Sequence, residues 1–157
     1  MKLSKITGFT LFELLLALSI FGLVLLMATR YFSVDTTNAK ITRTTQDIVA
    51  IRQAAAEWVL AQPDYKGGST DCSTAGSNCI SFNQLNAAGL LPSSLSNGLN
   101  PWGYPYAISP SQSNPTQLTI ATATFDNCSA IKNILQSQAA SAECTGLKNS
   151  ILSITFN

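Results

Sequence analysis

The residues best placed to do chemistry stand together near the start of the chain: Gly8-Phe9-Thr10-Leu11-Phe12-Glu13, followed by an apolar run that continues to Ala28. Glu13 puts a carboxylate into the opening turns of a segment otherwise suited to lipid. A charge deep in a bilayer costs about 3 kcal/mol or more. Glu13 therefore calls for a counter-charge that its own neighbours do not provide. The short basic leader, Met1 to Gly8, reads as a removable segment. A cut after Gly8 would free an amine on Phe9, and that amine is a cation of the kind Glu13 lacks. The chemistry on offer is charge pairing in an apolar setting.

With Gly8, Phe9, Glu13 and the apolar continuation in view, the segment resembles the processing site of type IV prepilins and their pseudopilin relatives. The resemblance covers about the first thirty residues and is specific in combination, a motif match with its context. It implies cleavage between Gly8 and Phe9 by a prepilin peptidase on the cytoplasmic side, and N-methylation of Phe9. It also implies that Glu13 guides each subunit into a helical homopolymer by meeting the Phe9 amine of a neighbour. The expected divisions are a leader at residues 1–8, a membrane-spanning and filament-core half-helix at 9–29, and an extracytoplasmic globular domain at 30–157. The expected partners are further copies of the chain, the inner membrane before assembly, the peptidase, and a pilus or secretion assembly machinery. The precursor would lie in the bacterial inner membrane with its globular part in the periplasm, and the product in an extracellular filament.

Two plainer readings compete for the same residues. A secretory signal has a basic start and an apolar middle, which Lys2 and Lys5 suit. Here, however, the apolar run is about 20 residues, longer than an ordinary signal core, and Leu26-Met27-Ala28-Thr29-Arg30 offers no small-residue exit. A plain single-pass anchor also needs about 20 apolar residues. Neither explains Glu13 or the Gly8-Phe9 junction.

Charge and cysteine usage bound the rest. The chain carries 9 Lys plus Arg against 8 Asp plus Glu and no histidine. Without Lys2 and Lys5 it is close to neutral, which is no footprint for nucleic acid. The two leader lysines favour a cytoplasmic N-terminus, with Arg30 on the far side a slight counterweight. All four cysteines, Cys72, Cys79, Cys128 and Cys144, fall in the predicted exported part. An even number in such a domain reads as disulfides. Of the three possible pairings, Cys72 with Cys79 and Cys128 with Cys144 is favoured, because each pair flanks a local loop. Zinc is disfavoured, since there is no C-x-x-C pair and no histidine.

The elements that must position these groups follow from periodicity. A single helix is expected from Phe9 to about Ala61, stopped by Pro63. Its second half carries an apolar stripe through Val34, Ile41, Ile48 and Ala55, with Ile51 and Trp58 beside it. Arg43, Asp47, Arg52, Glu57 and several threonines then form a solvated side. Gly22 is the expected soft point, since glycine costs about 1 kcal/mol against alanine inside a helix. Many pilins and pseudopilins carry a proline in this helix; this sequence has none between Phe9 and Gln62.

Asp64 to Asn78 reads as a surface loop pinned by Cys72 and Cys79. Ser81-Phe82-Asn83-Gln84 fits a capping box opening a short helix that ends at Gly89, with loop again from Pro92 to Asn100. Asn100-Pro101-Trp102-Gly103-Tyr104-Pro105-Tyr106 marks a rigid turn into a strand, with Trp102 and Tyr106 capping the core. It is similar to the Pro-Trp-Gly turn of the major pseudopilins of type II secretion and of some pilins. Strands are expected at Thr116–Phe125 and Ile151–Phe156, and a helix from Cys128 to about Ala142. The fold class is α+β: a long spine helix on a small antiparallel sheet of about three strands, disulfide-bonded, as the pilin resemblance also implies.

Enzyme chemistry lacks its groups. Asp64, Asp71, Asp126 and Glu143 are scattered, a serine nucleophile would have no histidine base, and no glycine-rich phosphate loop precedes a helix. Asp126 with Asn127 is a thin calcium candidate, since calcium wants clustered oxygen ligands. No metal, cofactor or catalytic residue is expected. The reading favoured is a structural type IV pilin subunit, with a type II secretion pseudopilin or a minor pilin as alternatives. From another class, a membrane-anchored binding module that never polymerises fits the same composition.

Overall fold

The computed structural model describes residues 10–69, 72, 78–111, 114, 116–146 and 151–157. Gly8 and Phe9, the expected cleavage and methylation site, lie outside the described residues, as do Lys2, Lys5 and Asp71. Residue contacts divide the chain into two units, Met1–Ala39 and Lys40–Asn157.

One helix, α1, runs Leu11–Leu60. Thr10 opens it: its hydroxyl accepts from the Glu13 amide at 3.3 Å and its carbonyl from the Leu14 amide at 3.2 Å. The helix stops where Pro63 removes a donor and restricts the residue before it. Ala61 and Gln62 instead close tight turns onto the carbonyls of Trp58 and Val59.

The second unit is a helix-on-sheet layer. After α1 come α2 (Phe82–Ala87), β1 (Ala107–Pro110), β2 (Leu118–Ala123), α3 (Cys128–Leu135), β3 (Ser141–Thr145) and β4 (Ile151–Phe156). The sheet has four strands in the order β1-β2-β4-β3, every pair antiparallel. The expected count of about three strands is therefore corrected to four. The segment Cys128 to Ala142, expected as helix throughout, is helical only to Leu135. Ser141-Ala142-Glu143-Cys144-Thr145 then pairs with β4, Ala142 opposite Ile154. Its residues are indifferent strand formers, so the conformation comes from its pairing partner and from the Cys144 tether.

β2 and β4 carry the alternation that makes a half-buried sheet. Leu118, Ile120 and Thr122 face inward from β2, and Leu152, Ile154 and Phe156 from β4. The five apolar ones meet Ile41, Ile48, Ile51, Ala54 and Ala55 of α1, and Ile131 and Leu135 of α3, in one core. Each large side chain buried there contributes about 1.5–3 kcal/mol. Two members of the expected pattern differ. Val34 is 60% exposed, outside this core. Asp47 and Thr44, expected on the solvated side, are buried. The stripe is broader than a heptad seam, and 44 and 47 fall between its rows.

The loops add their own anchors. Cys72 is bonded to Cys79 across a Cα–Cα distance of 5.6 Å, and Cys128 to Cys144 across 6.0 Å. Ser81 caps α2 by accepting from the Gln84 amide, but the reciprocal arm of the box is not made: Gln84 Oε1 has no partner among the described residues. Gly89, at φ +70°, ends the helix: its amide donates to Asn86 and the next, Leu90, reaches back to Leu85. This is the left-handed stop that glycine allows. Within the stretch expected to be loop, Ser93–Leu95 forms a 3-10 turn that buries Leu95.

Candidate functional site

Among the described residues, the apolar side chains of the first unit are exposed. Leu11 is 79% exposed, Phe12 74% and Met27 73%. This stretch of the helix is exposed throughout and is long and apolar enough to cross a membrane. Phe12, Leu15, Leu16, Ser19, Ile20 and Leu23 border one shallow furrow, the three-and-four spacing of a single helical face. The one hydroxyl among them is turned inward: Ser19 donates to the Leu15 carbonyl at 2.8 Å. At Gly22 an added Cβ would meet nothing within 4 Å.

Glu13 stands in the first turn of this surface. A carboxylate there complements the positive end of the helix dipole, but that is a partial charge and not an ion pair. Along the described helix the first basic residue is Arg30, about 25 Å away at 1.5 Å rise per residue. The carboxylate is left for a cation that the described residues do not offer.

The second unit handles its buried polar groups in the opposite manner. The Tyr106 hydroxyl donates to Asp47 Oδ2 at 3.0 Å, tying the residue ahead of β1 to α1. Burial pushes the Asp47 carboxyl above its ordinary value, and the Tyr106 hydrogen bond and the nearby Arg43 charge offset part of that. Burial, reinforced by the Asp47 charge, drives the Tyr106 hydroxyl upward, so it stays protonated and keeps donating. Asn100 organises the Pro-Trp-Gly turn. Its side-chain amide donates to Thr122 Oγ1 at 3.0 Å and to the Ala123 carbonyl at 2.6 Å. Its side-chain oxygen accepts from the amides of Trp102 and Tyr104 at 2.9 and 3.0 Å. Gly103 passes through the turn at φ +85°, a conformation open to glycine. Arg52 lies over the Phe156 ring, 4.9 Å from its centroid, a cation–π contact.

Of the aromatics expected to cap the core, Tyr106 is buried and Trp102 packs half-buried against it. The scattered acids stay scattered. Asp64 accepts from the amides of Lys66 and Gly68, closing its own turn, while Asp126 and Glu143 are exposed. Among the described residues no group of three or more His, Cys, Asp or Glu is placed to hold a metal. Sequence reasoning passed over Asn100 and the Asp47–Tyr106 pair. The first had a signal in its position before Pro101, where a side chain that bonds its own turn is favoured. The second had none, since its partners are 59 residues apart.

Residues 3–29 match a family model described as the prokaryotic N-terminal methylation motif, the motif of type IV pilin and pseudopilin precursors. The match takes in Gly8, Phe9 and Glu13; residues 30–157 lie beyond it. No curated protein and no solved structure matches the chain.

Proposed function

We propose that the chain is the precursor of a filament-forming subunit of the type IV pilin and pseudopilin class, a structural protein and not an enzyme. The observation that carries this reading is the coincidence of the methylation motif with a helix whose apolar half is exposed and holds one acid that has no cation beside it among the described residues. The leader, residues 1–8, is removed between Gly8 and Phe9, and the new Phe9 amine is methylated. The half-helix 9–29 rests in the inner membrane until extraction, with residues 30–157 in the periplasm. In the filament the apolar helices bundle, and Glu13 meets the Phe9 amine of the next subunit. Burial of side chains such as Leu15 and Ile20 is worth about 1.5–3 kcal/mol each against water, though between helices still in lipid that drive is absent. Both disulfides fit an oxidising compartment.

Within the class, a major type IV pilin is the first reading. A second, a pseudopilin of type II secretion, draws on the Asn100-ordered Pro101-Trp102-Gly103 turn. Mass spectrometry of sheared surface filaments tests the class: the subunit should begin at N-methylated Phe9. An intact Met1 confined to the membrane fraction, with no filaments, would instead support a membrane-anchored binding module. Filament yield with pilus machinery against yield with secretion machinery separates the two members of the class.

A further inference from the structure

The bare helix has a far end as well as a near one, and the residues there are Arg30, Tyr31 and Phe32. Tyr31 is 79% exposed and Phe32 71% exposed, and Arg30 is exposed beside them. Being consecutive, they point about 100° apart around the helix. A partner on one face of α1 would take one or two of the three. An environment that encircles the helix takes all of them. From Leu11 to Tyr31 the helix rises about 30 Å at 1.5 Å per residue, and a bilayer's hydrocarbon core is about 30 Å thick. No charged residue stands between Glu13 and Arg30. Arginine heads reach toward headgroups and amphipathic aromatic rings gather at the same depth.

The hydroxyls nearby suit such a boundary. Thr29 donates to the Leu26 carbonyl at 3.0 Å, Ser33 to Arg30 at 2.9 Å, and Thr36 and Thr37 both to Ser33 at 3.0 Å. Each donor is satisfied within the helix, so Thr29 and Ser33, the two nearest Arg30, enter a water-poor layer without stranded donors. The next charge is Asp35, about 7.5 Å beyond Arg30 at the same rise, on the aqueous side.

We infer that Arg30, Tyr31 and Phe32 form an interfacial collar that binds the phosphodiester headgroups of the far leaflet and sets the depth of the precursor in the membrane. The inference rests on the proposed membrane reading of residues 9–29. The test uses the full chain in vesicles of phosphatidylethanolamine and phosphatidylglycerol that contain brominated lipid. Tyr31→Trp and, as a mid-span control, Leu18→Trp are each read as difference emission against the parent, which removes the signal of Trp58 and Trp102. Lipid brominated near the glycerol should quench Trp at position 31 about twofold more than lipid brominated near the chain end, as for a ring held at headgroup level. Position 18 should show the reverse order. Equal or deeper quenching at 31 overturns the collar, and so does quenching at 18 alone, the result if water or sister helices cover the collar. No quenching at either position overturns the membrane reading itself. Adding Arg30→Gln to Tyr31→Trp should bring the two quenching values together; if they stay apart, Arg30 does not hold a headgroup.

Discussion

Glu13 and Asp47 lie on the same helix, each among apolar residues, and the two regions around them answer an acid in opposite ways. Asp47 sits in the folded unit, where a tyrosine brought from 59 residues away donates to it. Glu13 sits on exposed apolar helix and receives nothing from the described residues beyond its helix's own dipole. The first acid is completed by folding. The second is left incomplete, and under the proposed function a neighbouring subunit completes it. A polar group satisfied within the chain has much of the cost of its burial offset by the fold, while one left open makes assembly specific, because only a partner with the matching charge relieves it.

The widest separation of the two regions should come from Glu13→Ala. Processing should persist and the unfolding midpoint of residues 40–157 should stay put, while sheared filament falls at least about tenfold, the effect of about 1.4 kcal/mol per subunit contact. Filament immunoblots beside thermal unfolding would check it, and normal assembly would remove Glu13 from the mechanism.

On the other side of the comparison, Asn100→Ala should leave the amides of Trp102 and Tyr104 without their acceptor and free the turn from β2. Unpaired buried groups cost about 1–3 kcal/mol each, so a loss of about 3 kcal/mol in urea unfolding is expected, with leader processing unchanged.

Tyr106→Phe should cost about 2 kcal/mol at neutral pH by leaving a buried carboxylate without its donor, and the cost should depend on pH. The folded pKa of Asp47 lies above its ordinary 3.8. The native state thus holds that proton more tightly than the unfolded chain, and ionised Asp47 opposes folding. The opposition is fully present above the folded value, eases as pH falls through it, and is gone below the unfolded value. Losing the Tyr106 donor raises the folded value further. The gap between Tyr106→Phe and the parent should therefore narrow in urea titrations carried from neutral to mildly acid pH. A gap that widened toward acid would refute this reading of the pair.

Gly22→Ala should have the smallest effect and confine it to the first region. The added methyl meets no neighbour, so the gain is the helix propensity alone, about 1 kcal/mol. Amide exchange around residue 22 should slow about fivefold, the rate equivalent of 1 kcal/mol, with the globular unit unmoved.

What could be read in the sequence was whatever depends on near neighbours. Alternation in Ile151–Phe156 gave β4 its bounds and inward face. Ser81 and Gly89 marked the ends of α2, and Pro63 the end of α1. The apolar run and Glu13 are legible for the same reason: their meaning lies in local composition and in one charge out of place. Long-range pairing is where this reading stopped. Ser141–Thr145 has little preference for a strand and becomes one because β4 offers an open edge and Cys144 holds it to Cys128. Asp47 looked solvated because it is charged and lies off the row of Ile41, Ile48 and Ala55, and only Tyr106, carried in by the turn that Asn100 ties to β2, makes burial tolerable. The sequence by itself determined the long helix, its bare apolar half and the stranded acid, since helix formation and hydropathy are summed over adjacent residues. The fourth strand, the breadth of the buried face and the partners of the buried polar groups were decided by the tertiary structure, because each depends on which distant segment arrives to meet it.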